Sequence, residues 1–146
     1  MPEPMSVYTR ERWLLIAVRV LGIFELFAIP FIFVPFAWMG EIHEHLGLGS
    51  IPEGRIVSYL ARSLSGFYAI NGVVLLYISF DLKYYWSLLK LFVAIFIVMG
   101  FTLTILDLSL GMPFSWTLSE GPVEILFGGL MWWLMKKIDP EDMKKQ

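Results

Sequence analysis

Cysteine is absent from all 146 residues. Its absence excludes disulfides, thiolate metal sites, Cys-held iron–sulfur clusters and thiol redox chemistry from the chain's own side chains. Histidine is nearly as scarce: only His43 and His45 occur. Neither lies in a long apolar block, so a haem held by histidines within a membrane would have no ligands. Charged residues make up 16% and hydrophobic ones 58%, where soluble domains hold about a quarter charged and half apolar. The net charge is only −2, and no basic stripe alternates with aromatics, so no nucleic-acid partner is implied. A nucleophile–base pair, a phosphate-cradling loop and a nucleotide fingerprint are also missing; Gly47-Leu48-Gly49 follows no strand. No cofactor is implied.

The apolar residues that dominate the composition sit in long blocks. Four are long enough to cross a hydrocarbon core as helices, which takes about 20 residues: 13–38, 56–80, 86–108 and 117–135. The first is too long for a signal core of roughly 7–15 residues, carries Arg19 and Glu25, and is followed by no small-residue cleavage site, so it reads as a retained anchor. Short connections force antiparallel neighbours. The expected fold is all-α integral membrane, an antiparallel four-helix transmembrane bundle forming a single domain over 1–146.

Orientation is read from the basic residues. Arg10, Arg12, Lys83, Lys90, Lys136, Lys137, Lys144 and Lys145 flank one side of the blocks, and Arg55 alone lies in a loop on the other. The positive-inside rule then places both termini in the cytoplasm, with Trp13, Tyr84, Tyr85, Trp86, Trp132 and Trp133 at the inner interface and Trp38 and Trp116 at the outer one. Pro30 and Pro35 predict a kink in the outer half of the first span. The segment from Met39 to Gly49 is too short and charged to span, but Ile42, Leu46 and Leu48 offer an apolar face for a short interfacial helix. The tail from Asp139 is expected to fray. The fourth span has two alternative starts. Thr117 can cap it with Glu120 reaching back, or Gly121 can cap it with Pro122 at the first helical position. The second leaves about 16 residues and places irregular backbone where it must be buried or line a wet cavity.

Ionisable groups within the spans are costly at a lipid-facing bilayer centre, about 2.5–3.5 kcal/mol each or more, so they are expected to face one another. These are Arg19, Glu25, Arg62, Glu120 and Glu124, with Asp107 near the end of the third span. Ser58, Arg62, Ser65, Ala69 and Gly72 form a small, polar stripe at helical spacing. Tyr68 and Asn71 lie on another side of the same span. Gly100, Thr104 and Asp107 make a second stripe, and Glu120 and Glu124 share a face with Gly128. The expected meeting is Arg62 with Glu120 and Glu124, with Glu25 nearby. Such pairs serve either as packing ties or as a site. Two carboxylates four residues apart do not both ionise cheaply without a cation, so one holds a proton or the site takes a cationic or polar ligand. Glu41, His43 and His45 alone have metal-ligand character. Glu41 and His45 could share a helical face toward a zinc-type ion, whereas His43 and His45 do not share one; a solvated interfacial segment is the other reading.

The run Tyr59-Leu60-Ala61-Arg62-Ser63-Leu64-Ser65-Gly66-Phe67-Tyr68-Ala69, together with Ser79-Phe80-Asp81, Gly111-Met112-Pro113 and Glu120-Gly121-Pro122, resembles small four-helix proteins of bacterial inner membranes. With Arg19 and Gly22 early in the first span, the layout of the whole chain is similar to the DoxX-like group. That resemblance implies a multi-pass protein of the bacterial inner membrane. Buried acids in four spans are also similar to the EXPERA sterol-isomerase type, from which no residue is carried over. The resulting expectation is a polar, partly ionised cavity near the outer leaflet. It would bind a small molecule or lipid, or belong to an accessory subunit of a membrane complex. The alternatives are a membrane enzyme using buried glutamates on a lipophilic substrate, and a proton-linked carrier working as a homo-oligomer.

Overall fold

Where the helices start and stop follows from where the backbone loses or gains a hydrogen-bond donor. The computed structural model describes residues 6–143; Lys144 and Lys145, which belong to the basic flank, lie outside the described residues. Helix α1 (Val7–Leu26) begins at Ser6, whose hydroxyl accepts from the Thr9 amide at 3.2 Å. Pro30 has no N–H for the Leu26 carbonyl, so the chain tightens there: Phe27 bonds back to Phe24 and Ala28 to Glu25, each at 3.1 Å. Helix α2 (Ile29–Phe33) continues the helical stretch until Pro35, which forces Val34 into an extended conformation with ψ 151°. Helix α3 (Phe36–His45) follows the break. It includes Trp38, expected at the end of the first span, and its apolar Ile42 is exposed.

Helices α4 (Arg55–Ile78) and α5 (Trp86–Leu110) are long and unbroken. Gly111, in the left-handed region at φ 67°, ends α5 and lets the Met112 amide reach the Asp107 carbonyl at 3.0 Å. Helices α6 (Phe114–Ser119) and α7 (Gly121–Met135) are separated by Glu120, at φ −103° and ψ −91°. Thr117 lies inside α6, so the Thr117–Glu120 capping box does not form. Pro122 sits in the first turn of α7 and leaves the Leu118 carbonyl without its helical donor. The fourth apolar block is therefore a broken helix whose longer part has 15 residues. Three helical stretches are long and apolar enough to cross a membrane: Val7–Phe33, Arg55–Ile78 and Trp86–Leu110. No strand occurs among the described residues.

The tail does not fray within that range. Pro140–Asp142 forms a 3-10 turn, Asp139 accepts from the Glu141 amide at 3.0 Å, and Lys83 donates to the Glu141 carbonyl at 3.1 Å. Met143 is buried.

Two tight pairings organise the molecule, α1 with α4 and α5 with α7, and α1 then packs on α7. Glycine makes each close. A Cβ on Gly72 would stand 2.7 Å from the Gly22 carbonyl oxygen, and one on Gly100 would stand 2.7 Å from the Gly121 carbonyl oxygen. Small residues let backbones approach where the outside offers no hydrophobic drive to association. Helices α4 and α5 touch little, although a short turn joins them. The packed core, including Leu14, Val18, Leu75, Ile78, Leu89, Val93, Met131 and Leu134, gathers toward the end that holds that turn, the start of α1 and the end of α7. The other half is less filled.

A side chain at Gly72 must push α1 and α4 apart, whereas one at Gly129 meets nothing within 4 Å. We expect Gly72→Leu to destabilise the purified protein by about 1–3 kcal/mol, the usual cost of overpacking. Gly129→Leu should stay within about 0.5 kcal/mol, as surface changes do. Denaturant titration in detergent measures both; equal losses would refute the assignment of Gly72 to the crossing.

Candidate functional site

The arginines do not meet the glutamates. Arg62, one turn after Ser58 on α4, donates to the Ser58 hydroxyl at 3.3 Å, to the Val34 carbonyl at 2.9 Å and to the Ile32 carbonyl. Those carbonyls belong to the end of α2, where the Pro35 break removes the next helical donors. A planar guanidinium fork suits two carbonyls side by side, and a cation at a helix C-terminus complements the dipole. The Ser58–Arg62–Ser65–Ala69–Gly72 stripe therefore faces α1 and α2, not α7. Arg19 is exposed on α1 and donates to the hydroxyl of Ser79, the residue that caps the far end of α4, at 3.3 Å. The expected network of arginines with Glu25, Glu120 and Glu124 is corrected on this point: helix breaks and helix ends, not carboxylates, engage both arginines.

The carboxylates come together without them. A cavity of about 630 Å³ lies between α1 and the α6–α7 break, with Tyr68 of α4 and Phe96 of α5 completing its wall. Glu25 reaches it from α1, and Glu120 and Glu124 from the start of α7. Glu25 interacts electrostatically with Glu124, Glu124 with Glu120, and the Tyr68 phenol with all three. Glu25 is only 8% exposed, and one carboxylate oxygen of Glu25 and one of Glu124 are buried without a hydrogen-bond partner. The rest of the wall is apolar and largely aromatic: Phe24, Phe27, Phe31, Phe96, Trp116 and Phe127. Among the described residues, no lysine, arginine or histidine lines it. The broken backbone at Glu120 is thus at the cavity's edge, as irregular backbone in apolar surroundings requires.

Asp107 is buried at 5% exposure near the end of α5, close enough to Glu120 to interact with it, and one of its oxygens is unpartnered, as is the buried Thr117 hydroxyl on α6. It does not line the cavity. Ser65 returns its hydroxyl to the Ala61 carbonyl at 3.0 Å, and Asn71 is half-buried outside the cavity wall. On α3 the histidines are turned to backbone: His43 Nδ1 donates to the Gly49 carbonyl at 2.8 Å and His45 Nδ1 to the Glu41 carbonyl at 3.1 Å. Glu41, His43 and His45 do not converge. Among the described residues no group of three or more histidines and acids is arranged to hold a metal ion.

Sequence reasoning missed the aromatic wall and the carbonyl partners of Arg62. The second had a signal. Pro35 announces carbonyls without donors one turn earlier, and a fork-shaped cation on a small-residue stripe is a natural partner for them. No family model, curated protein or solved structure matches the chain.

Arg62→Met removes the donor to two half-buried carbonyls at a helix break, with an expected cost of about 1 kcal/mol for the lost hydrogen bonds. We expect amide hydrogen exchange to accelerate over residues 29–38 while the amides of α5 keep their protection. Uniform acceleration across the chain would instead mean that Arg62 supports the whole bundle.

Proposed function

We propose that the chain is a multi-pass protein of the bacterial inner (cytoplasmic) membrane, a four-helix transmembrane bundle with both termini in the cytoplasm and a DoxX-like layout. In this reading it binds a small lipophilic molecule or a lipid in the cavity between α1 and α7, alone, as a homo-oligomer, or as an accessory subunit of a larger membrane complex.

Four passes are supported by the three long apolar stretches and by α6 and α7 in series, which together approach the length a crossing needs. A cytoplasmic placement of the termini is supported by the basic and aromatic residues at that end. There a cleft of about 600 Å³ is lined by Trp86, Lys90, Trp132, Lys136 and Lys137 among others. Arg10 lies 4.5 Å over the Trp133 ring at the same end. α3 would then lie on the opposite surface.

One observation carries the binding role. The half of the molecule away from the packed core holds an apolar cavity lined by Glu25 and Glu124, and each of these carboxylates also has a buried oxygen without a hydrogen-bond partner. Ligand sites are mostly apolar concavities with a few convergent polar groups. The same pair favours a second reading, an enzyme that uses the glutamates as acid and base on a lipophilic substrate.

Because the chain has no cysteine, single introduced cysteines report topology directly. We expect Ser50→Cys to react with a membrane-impermeant maleimide on intact cells and Lys137→Cys to react only after permeabilisation; the reverse pattern would sink the orientation. Native mass spectrometry of the protein released from lipid nanodiscs should show a co-purified lipophilic mass that Val123→Trp, which fills the cavity, removes. Retention of that mass by Val123→Trp would place its binding elsewhere, and recovery of a chemically altered lipid from the wild-type protein alone would favour the enzyme.

A further inference from the structure

We propose that the cavity selects amphiphiles with a cationic head, an ammonium on a lipophilic body, held between Glu25 and Glu124. This rests on the cavity being a binding site and names the chemistry it takes.

Two helices bring the acids to one place, and nothing in the wall opposes them. Glu25 comes from α1, Glu120 from the α6–α7 break and Glu124 from α7, and among the described residues no basic side chain lines the cavity. Arg62 is engaged by the Ile32 and Val34 carbonyls and Arg19 reaches Ser79. The carboxylates therefore repel one another in surroundings of low dielectric, and a positive charge placed between them relieves that repulsion. Both carboxylates line the cavity, each has a buried oxygen that no protein donor satisfies, and Glu25 is more than nine-tenths buried.

The aromatic wall narrows the choice of cation. Phe24, Phe31, Phe96, Trp116 and Phe127 line the same cavity as the acids. Aromatic rings stabilise ammonium groups through their quadrupoles, more so when water is excluded. A small metal ion needs several oxygen ligands and tightly held water, and the described residues contain no group of acids and histidines arranged for one. An ammonium carried on an apolar body fits both surfaces at once. Phe24 and Phe27 line the cavity while remaining exposed. The mouth therefore opens on the apolar flank, where an amphiphile dissolved in a bilayer would enter.

Calorimetric titration of the full chain in maltoside micelles with decyltrimethylammonium, decanol and decyl sulfate keeps the tail fixed and changes the head charge. We expect saturable binding of the cation, at least ten-fold tighter than of the alcohol or the sulfate. Glu124→Gln should cut the cation's affinity about ten-fold, the double variant with Glu25→Gln should bring it to the level of decanol, and Glu141→Gln, on the remote tail, should leave it unchanged. Protons compete with the ammonium for the same carboxylates, so binding should weaken as pH falls. Among the described residues, the groups facing that head are Glu25 on α1, Tyr68 on α4, Glu120 at the α6–α7 break and Glu124 on α7, with Asp107 of α5 beside Glu120; α6 brings only Trp116 and Ser119.

A short-chain phosphatidylethanolamine that displaces the probe, where the matching phosphatidylglycerol does not, would identify the head as a lipid's. Failure of both to displace it would identify a free amphiphile. Decyl sulfate binding as tightly as the cation overturns the proposal, and so does an unchanged affinity in the double glutamine variant. Equal saturable binding of all three probes, lost in Val123→Trp, would overturn the charge selectivity and leave the cavity as a binding site. No saturable binding of any probe would remove both. The comparison of probes on the unmodified chain needs no variant to fold.

Discussion

A helix in apolar surroundings has no water to satisfy a carbonyl that loses its donor, and three prolines here create that problem. Pro30, Pro35 and Pro122 each remove an N–H from an otherwise apolar helix. The chain solves each case differently. At Pro30 the backbone tightens to three-residue bonds and a second short helix continues the stretch. At Pro35 the helix ends, and Arg62 crosses from α4 to take up the exposed carbonyls. At Pro122 the break is left at Glu120, beside the cavity. Packing and charge elsewhere in the molecule hang on these three local solutions, because they decide which charges are engaged and where space remains.

Space is divided unevenly for a related reason. Glycine contacts fix two helix pairs at close range, Gly22 with Gly72 and Gly100 with Gly121. Large side chains such as Leu14, Leu75, Leu89 and Met131 fill the half where the pairs meet near the termini. In the other half, the regular winding of α1 stops before Ala28 and the α6–α7 break interrupts the facing helix. Ridges on these two surfaces cannot interdigitate there as they do in continuous helices. The cavity lies at that mismatch, and its walls are the aromatic side chains that a packed interface would have buried against one another.

The apolar blocks, a proline kink in the outer half of the first of them and the small-residue stripe of α4 were all legible in the sequence, because each depends on periodicity or on a residue with a single backbone consequence. The interruption at Glu120 was legible only as one of two alternatives. Both a Thr117 capping box and a Pro122 start satisfy local rules; the structure takes the second, with Gly121 packed closely against Gly100 and Thr104. The pairing of Arg62 with Glu120 and Glu124 was misread. Helical spacing places Arg62 on the face with Gly72, and charge alone draws it toward acids, but depth and charge are shared by several partners and do not say which helix that face meets. The carbonyls of α2 are partners that a count of formal charges does not contain. The aromatic wall was invisible for the opposite reason: Phe24, Phe27 and Phe127 look like any lipid-facing residues until the break beside them is known.

The fate of the arginines also explains the chemistry of the cavity. Two arginines against three glutamates already leave an excess of acid, which the expected meeting of Arg62 with Glu120 and Glu124 would have offset in part. Once the backbone claims Arg62 and the end of α4 takes Arg19, that offset is gone, and the acids are concentrated in a space with aromatic walls. An arginine bound to carbonyls directs its guanidinium at the proline break and away from the cavity wall. The proline that breaks the first helix therefore also helps to keep Arg62 out of the cavity wall. A residue whose direct effect is to remove one backbone donor thereby bears on the charge around a cavity it does not line.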